Sequence, residues 1–210
     1  MRRSVALPIG MVLAFLILVL VVTQLVLPPI AASRIEGRLT KNGGDAQVSV
    51  RAFPALRLLF QHGDSLDVTG SGLDVPLGTG NQKVLDKLDG FDRVHIHLTG
   101  VTSGPFHTQS LTLDKSGGEA TYDLAVRASF TPSALASYLG SSVGGPLGGL
   151  FGGLAGGFVP GGNQPVPVTV DVRLESDNGT PRVMSGAGTV AGVPMGPVLE
   201  AVVAAVVARL

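Results

Sequence analysis

The sequence predicts an α+β protein built on a mostly antiparallel sheet, with a transmembrane helix ahead of it. Three observations lead there. Apolar and polar residues alternate in several separate stretches, each bounded by Gly, Asn or Pro. Helical segments stand before, between and after groups of strands instead of following every strand, which argues against a parallel βαβ sheet. Finally, no charged side chain occurs between Val5 and Leu27.

That apolar run comes first in the chain. As a helix rising about 1.5 Å per residue it spans roughly 35 Å, enough to cross a hydrocarbon core of about 30 Å. A cleavable signal has an apolar core of about 7–15 residues and ends in a small-x-small site. Here the exit reads Leu27-Pro28-Pro29-Ile30-Ala31-Ala32-Ser33, and Ile30 is bulky where cleavage after Ala32 needs a small side chain. The expectation is an uncleaved anchor over residues 1–27, with a cleaved secreted form as the alternative. Arg2 and Arg3 keep the cytoplasmic side, so residues 28–210 form one extracytoplasmic domain of a single-pass cell-membrane protein.

Composition narrows the chemistry. All 15 acidic residues follow Leu27, with all of the 15 basic ones except Arg2 and Arg3, so the exported part is close to neutral. Nucleic acid is excluded as a partner, because phosphate binding needs a basic excess. The absence of cysteine removes disulfides, thiolate catalysis and cysteine-ligated zinc. With 30 Gly, 14 Pro and no Trp, the core is built mainly from Val, Leu and Ala.

Pro28 to Leu39 is expected to be helical, with Ala31, Ile35 and Leu39 at four-residue spacing, ending at Asn42-Gly43-Gly44. The period then becomes two: Ala46, Val48, Val50 and Ala52 alternate with Gln47, Ser49 and Arg51. Phe53 to Phe60 is denser in apolar groups and turns briefly helical. Leu66 and Val68 begin a strand that continues through Gly70 and Gly72 to Val75. Asn81 to Leu88 is a short helical or irregular link. Val94, Ile96 and Leu98 mark the next strand, and Leu111 and Leu113 lead to the turn Lys115-Ser116-Gly117-Gly118.

Ala120 to Phe130 alternates without a miss, and Thr131 then caps a short helix with Pro132 in its first position, running to about Leu139. Val166 to Leu174 and Arg182 to Thr189 form a hairpin about Asp177-Asn178-Gly179. Pro197 opens a last helix, Val198 to Leu210, apolar on nearly every side. In all, roughly seven strands are expected. Between them, residues 140–163 form a Gly-rich apolar insertion of Gly-Gly-x-x tetrads, read as a flexible segment, as an apolar loop that dips into a membrane or lids a greasy site, or as helix pairing through Gly at four-residue spacing.

Catalytic signals are weak. His95 and His97 share one strand face as a metal pair would, but no third ligand stands at a supporting spacing, so a solvated face is expected. Gly140-Ser141-Ser142-Val143-Gly144 matches a nucleophile elbow in letters while lacking the strand before and the helix after. Gly186-Ala187-Gly188-Thr189-Val190-Ala191 likewise lacks the helix a dinucleotide site needs. Asp64, Asp67 and Asp74 fall at turns or on a polar face. No enzyme, cofactor or metal is expected.

Val48-Ser49-Val50-Arg51-Ala52-Phe53-Pro54-Ala55-Leu56, then Gly63, then Leu66-Asp67-Val68-Thr69-Gly70-Ser71-Gly72-Leu73, resembles the LmeA-like phospholipid-binding family of actinobacterial cell envelopes. The strand Ala120 to Phe130 running into Thr131-Pro132-Ser133-Ala134-Leu135, and Gly192-Val193-Pro194 near the end, are similar too. The family departs from this chain at residues 140–163 and beyond Leu210, where many members continue with further strands. The resemblance implies a tubular lipid-binding fold, in which a curved antiparallel sheet wraps one or two helices. It also implies a part in envelope lipid or lipoglycan metabolism.

The expected partners are therefore a membrane and a phospholipid or glycolipid. Phe53, Leu56, Leu59, Phe60, Tyr122, Leu124, Val126, Phe130 and Leu135 form the candidate groove set. For any one of them the simpler reading is the domain's own core. Small residues taken to lie on the opposite strand faces, Ala125, Gly70, Gly72, Gly186 and Gly188, would leave room for acyl chains or a close helix. The alternative function is an anchored, non-enzymatic module that binds an envelope protein or polymer.

Overall fold

Strand alternation decides the architecture, because each alternating segment has one face that must leave water. In the computed structural model, which describes residues 23–24, 26–75, 85–117, 119–135 and 164–195, these segments join into a single sheet. Its strands are β1 (Asp45–Arg51), β2 (Gly63–Ser71), β3 (Phe91–Ser103), β4 (Phe106–Lys115), β5 (Thr121–Phe130), β6 (Val166–Asp177), β7 (Thr180–Val190) and the two-residue β8 (Val193–Pro194). Each strand lies beside its predecessor, and every pair is antiparallel except β2 and β3. The protein is thus α+β with an eight-stranded, mostly antiparallel open sheet.

Directly paired residues share a face, so the register sorts the sheet into rows. Val48, Val68, Ile96, Leu113, Leu124 and Val172 form one row across six strands and end against Gly186. Beside it run Ala46, Gly70, Leu98, Leu111, Val126, Val170 and Gly188. The intervening rows are polar: Ser49, Asp67, His95, Asp114, Asp123, Arg173 and Ser185 form one of them. Two register shifts preserve this sorting. Gln109 in β4 and Met184 in β7 are each passed over by the neighbouring strand, so the residues on both sides keep their faces.

Helical elements cover the apolar face in places. Helix α1, residues 26–39, packs Ala31, Ala32, Ile35 and Leu39 on the cluster of Val48, Val50, Leu66, Val68 and Val94. Residues 23 and 24 are helical as well. The α1 side chains also guard the exposed edge of β1. Glu36 Oε1 accepts the Val48 N–H at 2.8 Å, which takes a donor that a free edge strand would offer to another chain. Gln24 reaches the other end of the strand, donating to the Ala52 carbonyl at 2.7 Å and accepting the Ala55 N–H at 2.8 Å. After α1 the chain turns at Gly43 and Gly44, as the sequence implies.

A short helix, α2 (Asp86–Asp89), with Leu85 before it, covers Leu113, Tyr122, Leu124 and Leu174. The helical turn at residues 132–135 starts as expected, with Thr131 Oγ1 accepting the Ala134 N–H at 3.3 Å. Its Leu135 joins Phe130 and Val190 in a third cluster, and Phe106 meets Phe130 edge-on at 6.0 Å between ring centres. No helix among the described residues is long and apolar enough to cross a membrane. Most of residues 1–27, the insertion at 140–163 and the helix expected from Val198 lie outside the described residues.

Two expectations need correction. The strand anticipated through Gly72 to Val75 stops at Ser71, because Gly72 takes a left-handed conformation (φ 64°) and turns the chain. Beyond it Asp74 makes only a single bridge to Thr102. Gly70, Gly186 and Gly188 stand in the apolar rows and not on the opposite face; of that set only Ala125 lies in a polar row. At Gly186 a Cβ would come within 2.6 Å of the Val172 Cα, so its smallness serves the close approach of β6 and β7.

The β6–β7 hairpin shows how a turn residue can carry a tertiary contact. Asn178 (φ 52°) and Gly179 (φ 85°) form the turn the sequence anticipates. Gly179 also meets the start of α2: its carbonyl accepts the Leu85 N–H at 3.0 Å, and a Cβ there would lie 2.8 Å from the Asp86 nitrogen. Gly179→Ala therefore combines left-handed strain with a backbone clash. It should cost at least about 2 kcal/mol, seen as a lower urea midpoint at unchanged slope.

Candidate functional site

The nine candidate groove residues divide into two groups. Tyr122, Leu124, Val126 and Phe130 project from the apolar face of β5, and Leu135 lies beyond its end. Phe53, Leu56, Leu59 and Phe60 lie apart from the sheet face, in and beside the 3-10 helix Ala55–Phe60 that follows β1. The reason is the turn's own packing. Leu58 faces the β1–β3 cluster and Ala55 is buried, which directs the neighbouring side chains outward. Phe53, Leu59 and Phe60 are 68%, 63% and 75% exposed.

Within the first group, accessibility differs. Tyr122 and Leu124 are closed over by Leu85, and Phe130 by Leu135, so these act as core. Val126 differs. Its cross-strand partner Leu111, with Leu98, Ile96 and Val168 further off, is half-buried like Val126 itself, while its other partner, Val170, is buried. These five side chains occupy the middle of the apolar face, between the part under α1 and the parts under α2 and Leu135.

The α2 end of the sheet holds an enclosed polar cluster that includes two of the buried polar residues among those described, Lys115 and Ser176. Asp89 accepts the Tyr122 hydroxyl at 2.7 Å on one carboxylate oxygen and the Ser176 hydroxyl at 2.5 Å on the other. Ser176 Oγ in turn accepts the Gly179 N–H at 3.1 Å. Lys115 is buried and donates to the Asp89 and Phe91 carbonyls at 2.9 and 2.7 Å, with its ammonium 5.5 Å from the centre of the Tyr122 ring. Burial pushes the Lys115 ammonium below the ordinary lysine value, against the opposing charges of Asp89 and Asp92. Burial and then the Asp89 carboxylate push the Tyr122 phenol far above its usual value.

Every hydroxyl and charge in this cluster has a partner, and no buried side-chain polar atom among the described residues lacks one. Its chemistry is that of a clamp holding α2 across β3 to β6.

The polar face carries the histidines. His95 Nδ1 contacts Asp114 Oδ1 at 2.5 Å and His97 Nδ1 contacts Thr112 Oγ1 at 3.2 Å, each to its cross-strand partner. No group of three or more His, Asp or Glu is gathered for a metal among the described residues. A depression of about 460 Å³ lies over this face from β4 to β7, floored by Ala125 and rimmed by Thr112, Asp114, Asp171 and Ser185. It is on the opposite side of the sheet from Val126. The serine of the elbow-like segment, Ser142, lies outside the described residues.

Two positions escaped sequence reading. Gln24 is an amide at the end of an apolar run, which in retrospect signals a backbone partner outside the helix. Asp89 sits in a link with no pattern, and its partners Tyr122 and Ser176 are 33 and 87 residues away. No local signal could have found them.

The Tyr122 shift has a definite sign. Its native value is raised above the unfolded value of about 10, so its contribution to stability is complete below pH 10 and is lost as pH rises beyond it. Lys115, shifted downward, opposes this as pH approaches its unfolded value of 10.5. Denaturant titrations should therefore show stability falling only above about pH 10.5, where the Lys115 contribution has levelled off, and Tyr122→Phe should flatten that fall while lowering stability at neutral pH by roughly 1–2 kcal/mol. Compared with protein-family models, curated proteins and solved structures, the chain matches none.

Proposed function

We propose that this protein is a non-enzymatic lipid-binding protein of the cell envelope. Residues 1–27 anchor it in the membrane by a single span, and the extracytoplasmic sheet curves about its helices to hold an acyl chain of a phospholipid or glycolipid. The observation that carries this reading is a patch of half-buried apolar side chains, Ile96, Leu98, Leu111, Val126 and Val168, spread over three adjacent rows of the apolar face. Each methylene transferred onto such a surface contributes about 0.8 kcal/mol, so ten of them supply about 8 kcal/mol before ordering costs. Anchoring keeps lipid at high local concentration, so modest affinity suffices. The resemblance to LmeA-like proteins agrees with this role in envelope lipid or lipoglycan metabolism.

The polar depression favours a second reading. Its rim of carboxylates and hydroxyls suits a hydroxyl-rich envelope polymer, as an anchored interaction module would need. Asp171→Ala would then abolish polymer capture and leave lipid uptake unchanged.

A fragment from Thr23 to Leu210 keeps the Gln24 contacts and can be purified without detergent. It should carry a lipid-sized adduct in native mass spectrometry and take up a fluorescent phospholipid. Val126→Trp, folded by circular dichroism, should cut that uptake at least about tenfold by filling the patch. An adduct-free fragment that also takes up no phospholipid rejects the lipid reading.

A further inference from the structure

The exposed apolar side chains are concentrated at one corner of the molecule. Apart from Met184 on β7 and Val193 on β8, every exposed large apolar residue among those described lies on α1 or beside the 3-10 turn: Val26, Ile30, Phe53, Leu56, Leu59 and Phe60. A soluble surface does not ordinarily gather aromatic and leucine side chains in this way.

The geometry points to a membrane-docking element: the turn from Phe53 to Phe60 seats in the interface of the same bilayer that residues 5–27 enter. Gln24 carries the argument. It lies within the apolar run, and its amide holds both Ala52 and Ala55, so the backbone on either side of Phe53 and Pro54 is tied to the end of that run. Whatever surface receives the run is within side-chain reach of the turn. The opposite end of α1, at Gly43 and Gly44, has no exposed large apolar residue nearby in sequence.

The turn's own construction agrees. Leu58 and Ala55 anchor it to the core, and Arg57 is tied to Asp64 at 2.9 Å, so the outward side chains are displayed from a fixed base. Arg57 is neutralised by Asp64, so of the arginines near the turn it is the exposed Arg51 that can meet an anionic headgroup. Phe and Leu on a rigid turn bury readily at the boundary of headgroups and acyl chains. The inference rests on residues 5–27 being a membrane segment; it is independent of lipid binding by the sheet.

The chain has no cysteine, so single labels report single sites. Leu59→Cys, Phe60→Cys and, for comparison, Met184→Cys in the full chain would each carry the fluorophore NBD. The labelled chains would be placed in nanodiscs of phosphatidylglycerol and phosphatidylethanolamine, one chain per disc. Labels at 59 and 60 should emit at shorter wavelength than at 184, be quenched by doxyl-labelled lipid, and resist aqueous iodide several-fold better. Equal iodide quenching at all three sites, with the chain retained in the disc, overturns docking and leaves the anchor standing. Protection that arises only when two chains share a disc also overturns it, because the occupant is then a second copy. A chain that does not remain in the disc overturns the anchor and the docking together. Phospholipid uptake on the sheet face is measured separately and moves with none of these outcomes.

Discussion

The structure depends on keeping one face of a wide sheet apolar through its middle rows. Pairing carries Val48 in register to Val172 through four intermediate strands, and a slip of one residue at any step would turn Asp67, His95 or Asp123 into the core. The two passed-over residues, Gln109 and Met184, show how the constraint is met where strands of different curvature must stay paired. A single extra residue is taken up locally, and the faces on each side survive. Alternatives in which these residues were simply inserted into the ladder would expose Thr108 and Phe106, or Val183, on the wrong side.

The same topology limits how that face is covered. Where consecutive antiparallel strands are joined by a tight turn, as by Gly104 and Pro105 between β3 and β4, the hairpin brings no helix across the sheet. Only the parallel step from β2 to β3 requires a crossover, and it is this connection that supplies α2. Among the described residues, coverage comes from α1 ahead of the sheet, from the crossover, and from the turn after β5. Such a short helix as α2 has little packing area, which explains why Asp89, Lys115, Tyr122 and Ser176 fasten it. A buried polar clamp of this kind adds positional specificity more than net stability, because its groups forgo water to form it.

The local features of the fold were legible in the sequence. Alternation from Ala120 to Phe130 gave β5 almost to the residue, Thr131-Pro132 gave the helical turn, and Asn178-Gly179 gave the β6–β7 hairpin. Each is fixed by interactions within a few residues. What pairs with what was not legible. The parallel β2–β3 contact depends on a crossover whose residues carry no period, and β3 runs to Ser103 because its neighbours pair that far, not because Gly100 favours a strand. The groove set shows the same boundary: apolar side chains from Phe53 to Phe60 and on β5 looked equivalent, yet a left-handed Gln61 and the burial of Leu58 put the first group outside.

The position of the exposed turn follows from that architecture and needs no special device. α1 runs alongside β1 in the opposite direction, since the two are joined by the tight Gly43-Gly44 turn and meet again at Glu36 with Val48 and at Gln24 with Ala52. The end of β1 must then lie beside the start of α1, and the first turn after β1 inherits that neighbourhood. The clamp at α2 and the Asn178-Gly179 turn occupy the same end of the sheet, several strands away, where Asp86, Asp177 and Arg182 keep the surface polar. One end of the sheet thus has an apolar corner at β1 and β2 and a charged corner at β6 and β7. A domain tethered at the apolar corner cannot lay that whole end flat on a bilayer without burying the charged corner. On the proposed anchoring, the sheet would instead lean on β1 and β2, with the half-buried patch of the apolar face carried above the lipid surface.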